Sequence, residues 1–273
     1  MDAIAKTSLL TAAMRAVEAK RSDSEGRLFS DPYAELLAGD EGMDLLRRAI
    51  AESGDQPAIA VRTYFMDQKI IAALKNGVRQ IVMLAAGMDT RAFRFSFPAG
   101  TKLFELDRKE VLDYKQTKLV KAQSLCERHA LAVDLRDEWQ AKLQQAGWRR
   151  AEPTLWMVEG LLMYLEESQV VTLFERINSL ASPKDIMLFD ILSQTLLEAP
   201  YMKKQLQFLK GMGAPWRFGT NEPEQFMEKF NWKAVVTQTG EVAPSRWPFP
   251  VAPRSVPNVP RGFLVEAVKV AGK

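Results

Sequence analysis

From residue 80 onward the chain alternates short apolar runs with amphipathic stretches, and the first two runs end in residues that carry chemistry. Gln80-Ile81-Val82-Met83-Leu84 leads into Ala86-Gly87-Met88-Asp89-Thr90-Arg91, where small residues predict a close turn and Asp89-Thr90 a helix start. Thr101-Lys102-Leu103-Phe104-Glu105-Leu106 then closes on an acid, Asp107, 20 residues after Gly87. In a doubly wound sheet this puts a turn of close backbone approach beside a sugar-gripping carboxylate, both at strand C-termini. The pair reads as a nucleoside-cofactor site. The plainer alternative is an ordinary strand-to-helix turn, because a single glycine is a weak signal.

Strand candidates are 80–85, 101–106, 129–134, 154–159, 185–190, 232–237 and 262–269. Helical patterns over 108–123, 136–146 and 166–181, with a short one near 89–93, separate the first five. Such alternation implies an α/β fold with a mostly parallel sheet covered on both faces. The last two strands are joined by a proline-rich segment, Pro244 through Pro260, too irregular for a crossover helix, so an antiparallel final pair is expected. Before the sheet, residues 4–76 read as helical. Ile4, Leu9, Leu10, Ala13 and Val17 form an apolar stripe, Ser30-Asp31-Pro32 starts one helix, and Asp55-Gln56-Pro57 starts another that stops at Asn76-Gly77. Leu196, Met202, Leu206, Phe208, Leu209 and Met212, followed by Gly213-Ala214-Pro215, suggest a helical insertion over the sheet edge. The expected organisation is one domain: a helical cap (1–78), a cofactor core (79–191), a lid insertion (192–230) and a final strand pair (231–273).

Which nucleoside cofactor follows from the missing glycines. A dinucleotide site wants three, so that backbone N–H groups reach the pyrophosphate. Here the corresponding residues are Ala85, Gly87 and Thr90. A cofactor with an adenosine but no phosphate does not need the other two, and S-adenosylmethionine fits. A nicotinamide dehydrogenase is disfavoured on the same ground.

Bulk properties exclude other classes. The chain has 273 residues, and 47% hydrophobic content suits a substantial core. A net charge of +3 is spread over scattered pairs such as Arg47-Arg48 and Arg149-Arg150, without the continuous basic stripe that nucleic acid needs. The one cysteine, Cys126, excludes an internal disulfide framework and a cysteine zinc cluster. The one histidine, His129, excludes multi-histidine metal sites and is expected to begin a buried strand in a structural role. No metal is expected. Met1 to Lys20 lacks an apolar signal core, and no stretch approaches the roughly 18 apolar residues that span a bilayer. A cytoplasmic protein without a membrane or nucleic-acid partner is expected.

These motifs resemble the leucine carboxyl methyltransferase family, which includes bacterial O-methyltransferases of secondary metabolism. The resemblance runs from about Lys20 to Val270. It rests on Leu84-Ala85-Ala86-Gly87-Met88-Asp89-Thr90-Arg91, on Lys20-Arg21 with Asp31-Pro32-Tyr33, and on Ala60-Val61-Arg62-Thr63 with Asp67. Asp134-Leu135 and Glu159-Gly160-Leu161 are similar to that family's third and fourth strand ends. One departure is Ala85, where the family usually has a glycine, and the extra methyl is expected to narrow the channel for the cofactor arm. The resemblance implies a Rossmann-like methyltransferase fold with a seven-stranded, mostly parallel sheet and an antiparallel final strand. It also implies S-adenosylmethionine as cofactor, S-adenosylhomocysteine as product and a small-molecule or peptide acceptor.

By position, the resemblance implies that Arg62 pairs with the methionyl carboxylate, a contact suited to a bidentate guanidinium. The alternative is an ion pair with Asp67. Lys20 would lie near the same arm or the substrate entrance, or else be a surface lysine. Ala86 and Gly87 would line the arm, Asp107 would accept both ribose hydroxyls, and Asp134 with the Leu135 N–H would read the adenine. Glu159 would face the cofactor ammonium. Independently, a carboxylate ending an apolar strand is costly to bury unpaired, so Glu159 needs a cationic partner. Tyr164 would hold the acceptor oxygen, or else be a core aromatic. Trp216-Arg217-Phe218-Gly219 and Ser245-Arg246-Trp247 would supply a pocket wall, with Arg246 a cation for an anionic substrate, or else be ordinary loop packing.

The expected reaction is methyl transfer to oxygen. A carboxylate acceptor is already ionised and needs no general base, and no histidine stands in the motifs, so a methyl ester is the expected product. A hydroxyl acceptor, with Asp, Glu or Lys as base, is an open alternative. So is a catalytically silent relative that binds cofactor and serves as a scaffold.

Overall fold

A computed structural model describes residues 1–54 and 57–271. Three helices precede the sheet: α1 (Ala3–Ala19), α2 (Ala34–Ser53) and α3 (Ala58–Lys75). Asp2 caps α1, its carboxylate accepting the Ala5 N–H at 2.9 Å. The chain turns at Gly39 inside α2, where φ is 56°. Three residues later α2 lies directly on α1: a Cβ added at Gly42 would stand 2.6 Å from the Leu9 carbonyl oxygen. Of the expected helix start at Asp55-Gln56-Pro57, the first two residues lie outside the described ones, and Pro57 immediately precedes α3.

Seven strands form one sheet: β1 (Gln80–Leu84), β2 (Lys102–Asp107), β3 (Glu127–Ala132), β4 (Thr154–Val158), β5 (Ile186–Leu192), β6 (Trp232–Gln238) and β7 (Gly262–Lys269). Their order is β3-β2-β1-β4-β5-β7-β6. The first five are parallel, and β7 runs antiparallel to both β5 and β6, as the proline-rich connection predicts. Between the strands lie α4 (Arg91–Arg94), α5 (Lys109–Lys118), α6 (Gln140–Gln145) and α7 (Glu167–Leu180). The segment between β5 and β6 carries α8 (Gln194–Leu197), α9 (Lys203–Gly211) and α10 (Pro223–Glu228), and α11 (Thr239–Val242) follows β6.

Strand alternation divides the core. Ile81 and Met83 point toward α1, α2 and α3, while Val82 and Leu84 point to the other face, with Trp139, Trp156, Phe174 and Phe189. Strand order reverses between β1 and β4, and such a switch point opens a crevice at the strand C-termini.

Three expectations shift. Strand β3 starts two residues early, because it pairs Glu127 with Lys102 at the sheet edge. His129 therefore sits within an edge strand rather than starting a buried one, stacked on Phe104 at 4.9 Å with Nε2 2.9 Å from Glu127. The helix expected from 136 begins at Gln140, because the Asp134 carboxylate accepts the Arg136 N–H at 2.9 Å and ties residues 134–137 into a turn. Among the described residues, no helix is long and apolar enough to cross a membrane.

Candidate active site

The crevice is a cavity of about 780 Å³, within the range of ~300–1,000 Å³ usual for small-molecule sites. Its floor is the end of β1. The chain leaves that strand with Ala85 and Ala86 both donating to the Leu106 carbonyl, at 2.9 and 3.2 Å, which brings the turn against the end of β2. Gly87 then donates its N–H to Asp107 Oδ2 at 2.7 Å, and Arg108 donates its N–H to Oδ1 at 2.7 Å. Each carboxylate oxygen keeps a lone pair for the cavity, the arrangement a vicinal diol requires. Burial pushes the Asp107 carboxyl above its usual range, against the pull of the two N–H bonds and of Lys115 and Arg108. Gly87 has φ of +49°, and a Cβ there would meet Ser8 Cβ of α1 at 3.1 Å. Helix α1 thus roofs the turn, and Asp2, Ser8 and Arg15 line the cavity from above.

Ala85 has φ of 60°, the left-handed region that favours glycine. The departure seen in the sequence is therefore a backbone matter as well as a question of channel width.

Beside the turn lies a buried charge cluster. Arg62 from α3 reaches Glu159 Oε1 at 3.0 Å and Asp190 Oδ2 at 2.9 Å. Arg91 reaches Glu159 Oε2 at 2.9 Å and Asp67 at 2.7 Å, and it also pairs with Asp89. Burial alone would raise the Glu159 carboxyl, but Arg91 and Arg62 outweigh it and hold the group below its usual range. The same balance, with Arg91 first among the cations, lowers Asp89. Glu159 has the cationic partner its position demanded. Arg62 pairs with Glu159 and Asp190 rather than with Asp67, which is taken by Arg91 and Arg94.

The structure brings eight of the ten anticipated residues to this one cavity: Arg62, Ala86, Gly87, Asp107, Asp134, Leu135, Glu159 and Tyr164. Asp134 arrives already engaged by Arg136, with Nη2 at 2.6 Å, in an exposed pair. The other two are elsewhere. Lys20 is an exposed lysine paired with Glu35 at 2.5 Å, because it caps the far end of α1. Arg246 is held by Glu18, at 3.0 and 2.7 Å, and by the Gly26 carbonyl at 2.5 Å, so it pins the proline-rich strap to the N-terminal helices.

Sequence reasoning gave no role to Arg91, Asp190 or Arg15. Asp190 carries the signal that marked Glu159, a carboxylate within an apolar strand. It accepts the Gly160 N–H at 2.6 Å as well as Arg62. Arg15 joins α1 to the turn through Asp31 at 3.0 Å and the Met88 carbonyl at 2.5 Å, and Asp31 also accepts from Thr90 Oγ1 at 2.8 Å. A buried arginine on a helix otherwise rich in alanine was the available sign.

Tyr164 stands on the short 3-10 turn Leu162–Tyr164, and Pro215, Trp216 and Arg217 also line the cavity. The Arg217 N–H donates to the Met163 carbonyl at 2.6 Å, and its guanidinium pairs with Glu166.

The donor set suits a cofactor that carries a ribose, an ammonium and a carboxylate but no phosphate: a half-buried carboxylate with two free lone pairs, and an acid and a guanidinium side by side. Comparison with known proteins agrees. The sequence pattern of the leucine carboxyl methyltransferase family matches residues 8–178. A Parafrankia sp. (strain EAN1pec) protein assigned as an S-adenosyl-L-methionine-dependent methyltransferase is 39% identical over 191 residues, 66% of this chain and 60% of that protein. A similarly assigned Mycolicibacterium smegmatis protein is 41% identical over 194 residues, 66% of this chain and 64% of its own length. The chain thus spans about three-fifths of the length of these curated relatives. In fold, the chain is similar to a crystal structure assigned as a methyltransferase from Thermobifida fusca YX, with a TM-score of 0.63 and 20% identity over 86% of this chain and 92% of that one. The chain belongs to the leucine carboxyl methyltransferase family, and S-adenosylmethionine is the cofactor that matches its cavity.

Proposed function

We propose that this chain is an S-adenosylmethionine-dependent O-methyltransferase that esterifies a carboxylate of a small molecule or peptide. The observation that carries this reading is one continuous cavity lined by Gly87, Asp107, Glu159 and Tyr164 together. When bound, the cofactor supplies an electrophilic methyl group together with its leaving group. The protein's work is to bind, orient and exclude water. Asp107 accepts the ribose hydroxyls, Glu159 takes the ammonium, and Arg62 takes the carboxylate. Ala86 and Gly87 give the cofactor arm its backbone wall, and Asp134 with Leu135 borders the adenine. Tyr164 would hold the acceptor oxygen. His129 lies outside the cavity lining, so the reaction proceeds without an imidazole base, as a carboxylate acceptor allows.

A hydroxyl acceptor is the second reading, and a particular observation favours it. Every guanidinium lining the cavity is already engaged: Arg15 by Asp31, Arg62 by Glu159, Arg91 and Arg94 by Asp67, Arg108 by Asp2, Arg136 by Asp134, Arg176 by the Leu135 carbonyl and Arg217 by Glu166. A carboxylate acceptor would then share a guanidinium with a partner already in place.

Calorimetric titration with S-adenosylhomocysteine, with NADH as control, tests the cofactor. Binding of the former alone is expected, and Asp107→Ala should weaken it about ten- to 150-fold, the value of charge-assisted hydrogen bonds. Unchanged affinity would remove the ribose assignment. With a methyl-labelled cofactor and an acceptor screen, an ester product releases labelled methanol on mild alkaline treatment, whereas an ether product keeps its label. Binding without transfer to any acceptor would support the scaffold reading.

A further inference from the structure

Lys115 projects from α5 into the protein with no solvent exposure. Its Nζ lies 2.9 Å from Glu105 Oε1, an equally buried carboxylate on β2, and donates to the Gly87 carbonyl at 3.3 Å. The second oxygen of Glu105 takes Arg128 Nη2 at 2.7 Å, and the Arg128 guanidinium rests over the Phe93 ring at 5.2 Å. Two cations therefore share one carboxylate directly behind the turn, and Glu105 stands on the same face of β2 as Asp107, two residues away. A buried ion pair is a poor device for stability, because apolar side chains of like volume serve as well or better. What apolar side chains cannot do is donate to the Gly87 carbonyl.

We propose that Lys115 is a positioning residue for the cofactor: its ammonium, oriented by Glu105, grips the Gly87 carbonyl and so fixes the Gly87 N–H on Asp107 before the ribose arrives. The proposal rests on the S-adenosylmethionine reading of the site. The Gly87 oxygen lies on the peptide plane after its Cα and the N–H that meets Asp107 on the plane before it, so Lys115 and Asp107 restrain the two sides of one residue in the left-handed region. The lysine also adds positive charge beside Asp107, opposing the effect of burial. The other charged groups around that carboxylate are Arg108, itself paired with Asp2 of α1 and near Glu110, then Asp89 on the turn and the Asp134–Arg136 pair beyond β3.

The test is S-adenosylhomocysteine binding by the whole protein across acid to alkaline pH. In Lys115→Met, Glu105 keeps Arg128 as a one-to-one partner, so the fold should survive, as a cooperative thermal transition would show. Affinity should fall about tenfold, the value of one hydrogen bond to a charged donor. The acid limb of binding should also move to higher pH, because Asp107 loses a nearby cation. Lys115→Gln restores a donor without charge; it should recover affinity at alkaline pH while keeping the displaced acid limb. It also serves where the methionine variant fails to fold. Wild-type affinity in either variant over the whole pH range would overturn the role of Lys115. No binding by the wild type would overturn the cofactor reading itself, and this proposal with it.

Discussion

Arginine–carboxylate pairs hold both ends of the cavity, in opposite surroundings. At the inner end the Arg91 side chain is 2% exposed and shared among Asp67, Asp89 and Glu159. At the outer end Arg217 and Glu166 are 49% and 56% exposed. A buried pair fixes geometry, because neither member can leave without stranding the other. An exposed pair contributes little and exchanges partners readily. The buried pairs thus hold one fixed arrangement, whereas the exposed pair can give way to another partner.

Three substitutions sharpen or break this contrast. The largest effect should come from Arg91→Met, which leaves Glu159 and Asp89 buried beside a missing cation. Chemical denaturation should show a loss of about 3–5 kcal/mol, the usual cost of removing one member of a buried pair. A loss below 1 kcal/mol would mean the inner cluster is as exchangeable as the outer one. Ala85→Gly should act in the other direction. A left-handed alanine costs about 1–2 kcal/mol and the entropy of a new glycine about 0.5–1 kcal/mol, so the protein should gain roughly 0.5–1 kcal/mol in the same assay. Destabilisation would show that the Ala85 methyl packs against something the turn needs. Arg217→Ala should do least, changing stability by under about 1 kcal/mol. A loss of several kcal/mol would make the outer pair structural and erase the contrast.

The same division governs what the sequence reveals. Gly87, Asp107 and Glu159 were legible because each ends an apolar strand, where a polar or flexible residue stands out, and strand ends converge at a switch point whatever the loops do. The antiparallel final strands followed from prolines that no crossover helix tolerates. The partners of Arg62 were not legible. Asp67, five residues along the same helix, was the near candidate, yet the contacts made are with residues 97 and 128 positions away. The partners of Lys20 and Arg246 are hidden for a related reason: a cation in a motif shows that charge is needed nearby but not which acid claims it. The edge position of β3 was also hidden, because Ala130, Leu131 and Ala132 read as buried when only one side of that strand is paired.

Gly42 lies on the far side of α1 from the cavity and lines none of it. Yet α1 bears the Ser8 that faces Gly87, and α2 meets the Leu9 carbonyl of the same helix with no room for a methyl group. Residue 42 therefore works as a shim of zero thickness. Any larger side chain there would push the roof of the site from behind, so its tolerance to substitution should resemble that of a residue touching the ligand. The boundary of this site, counted by the positions that shape it, extends a full helix beyond the residues that line it.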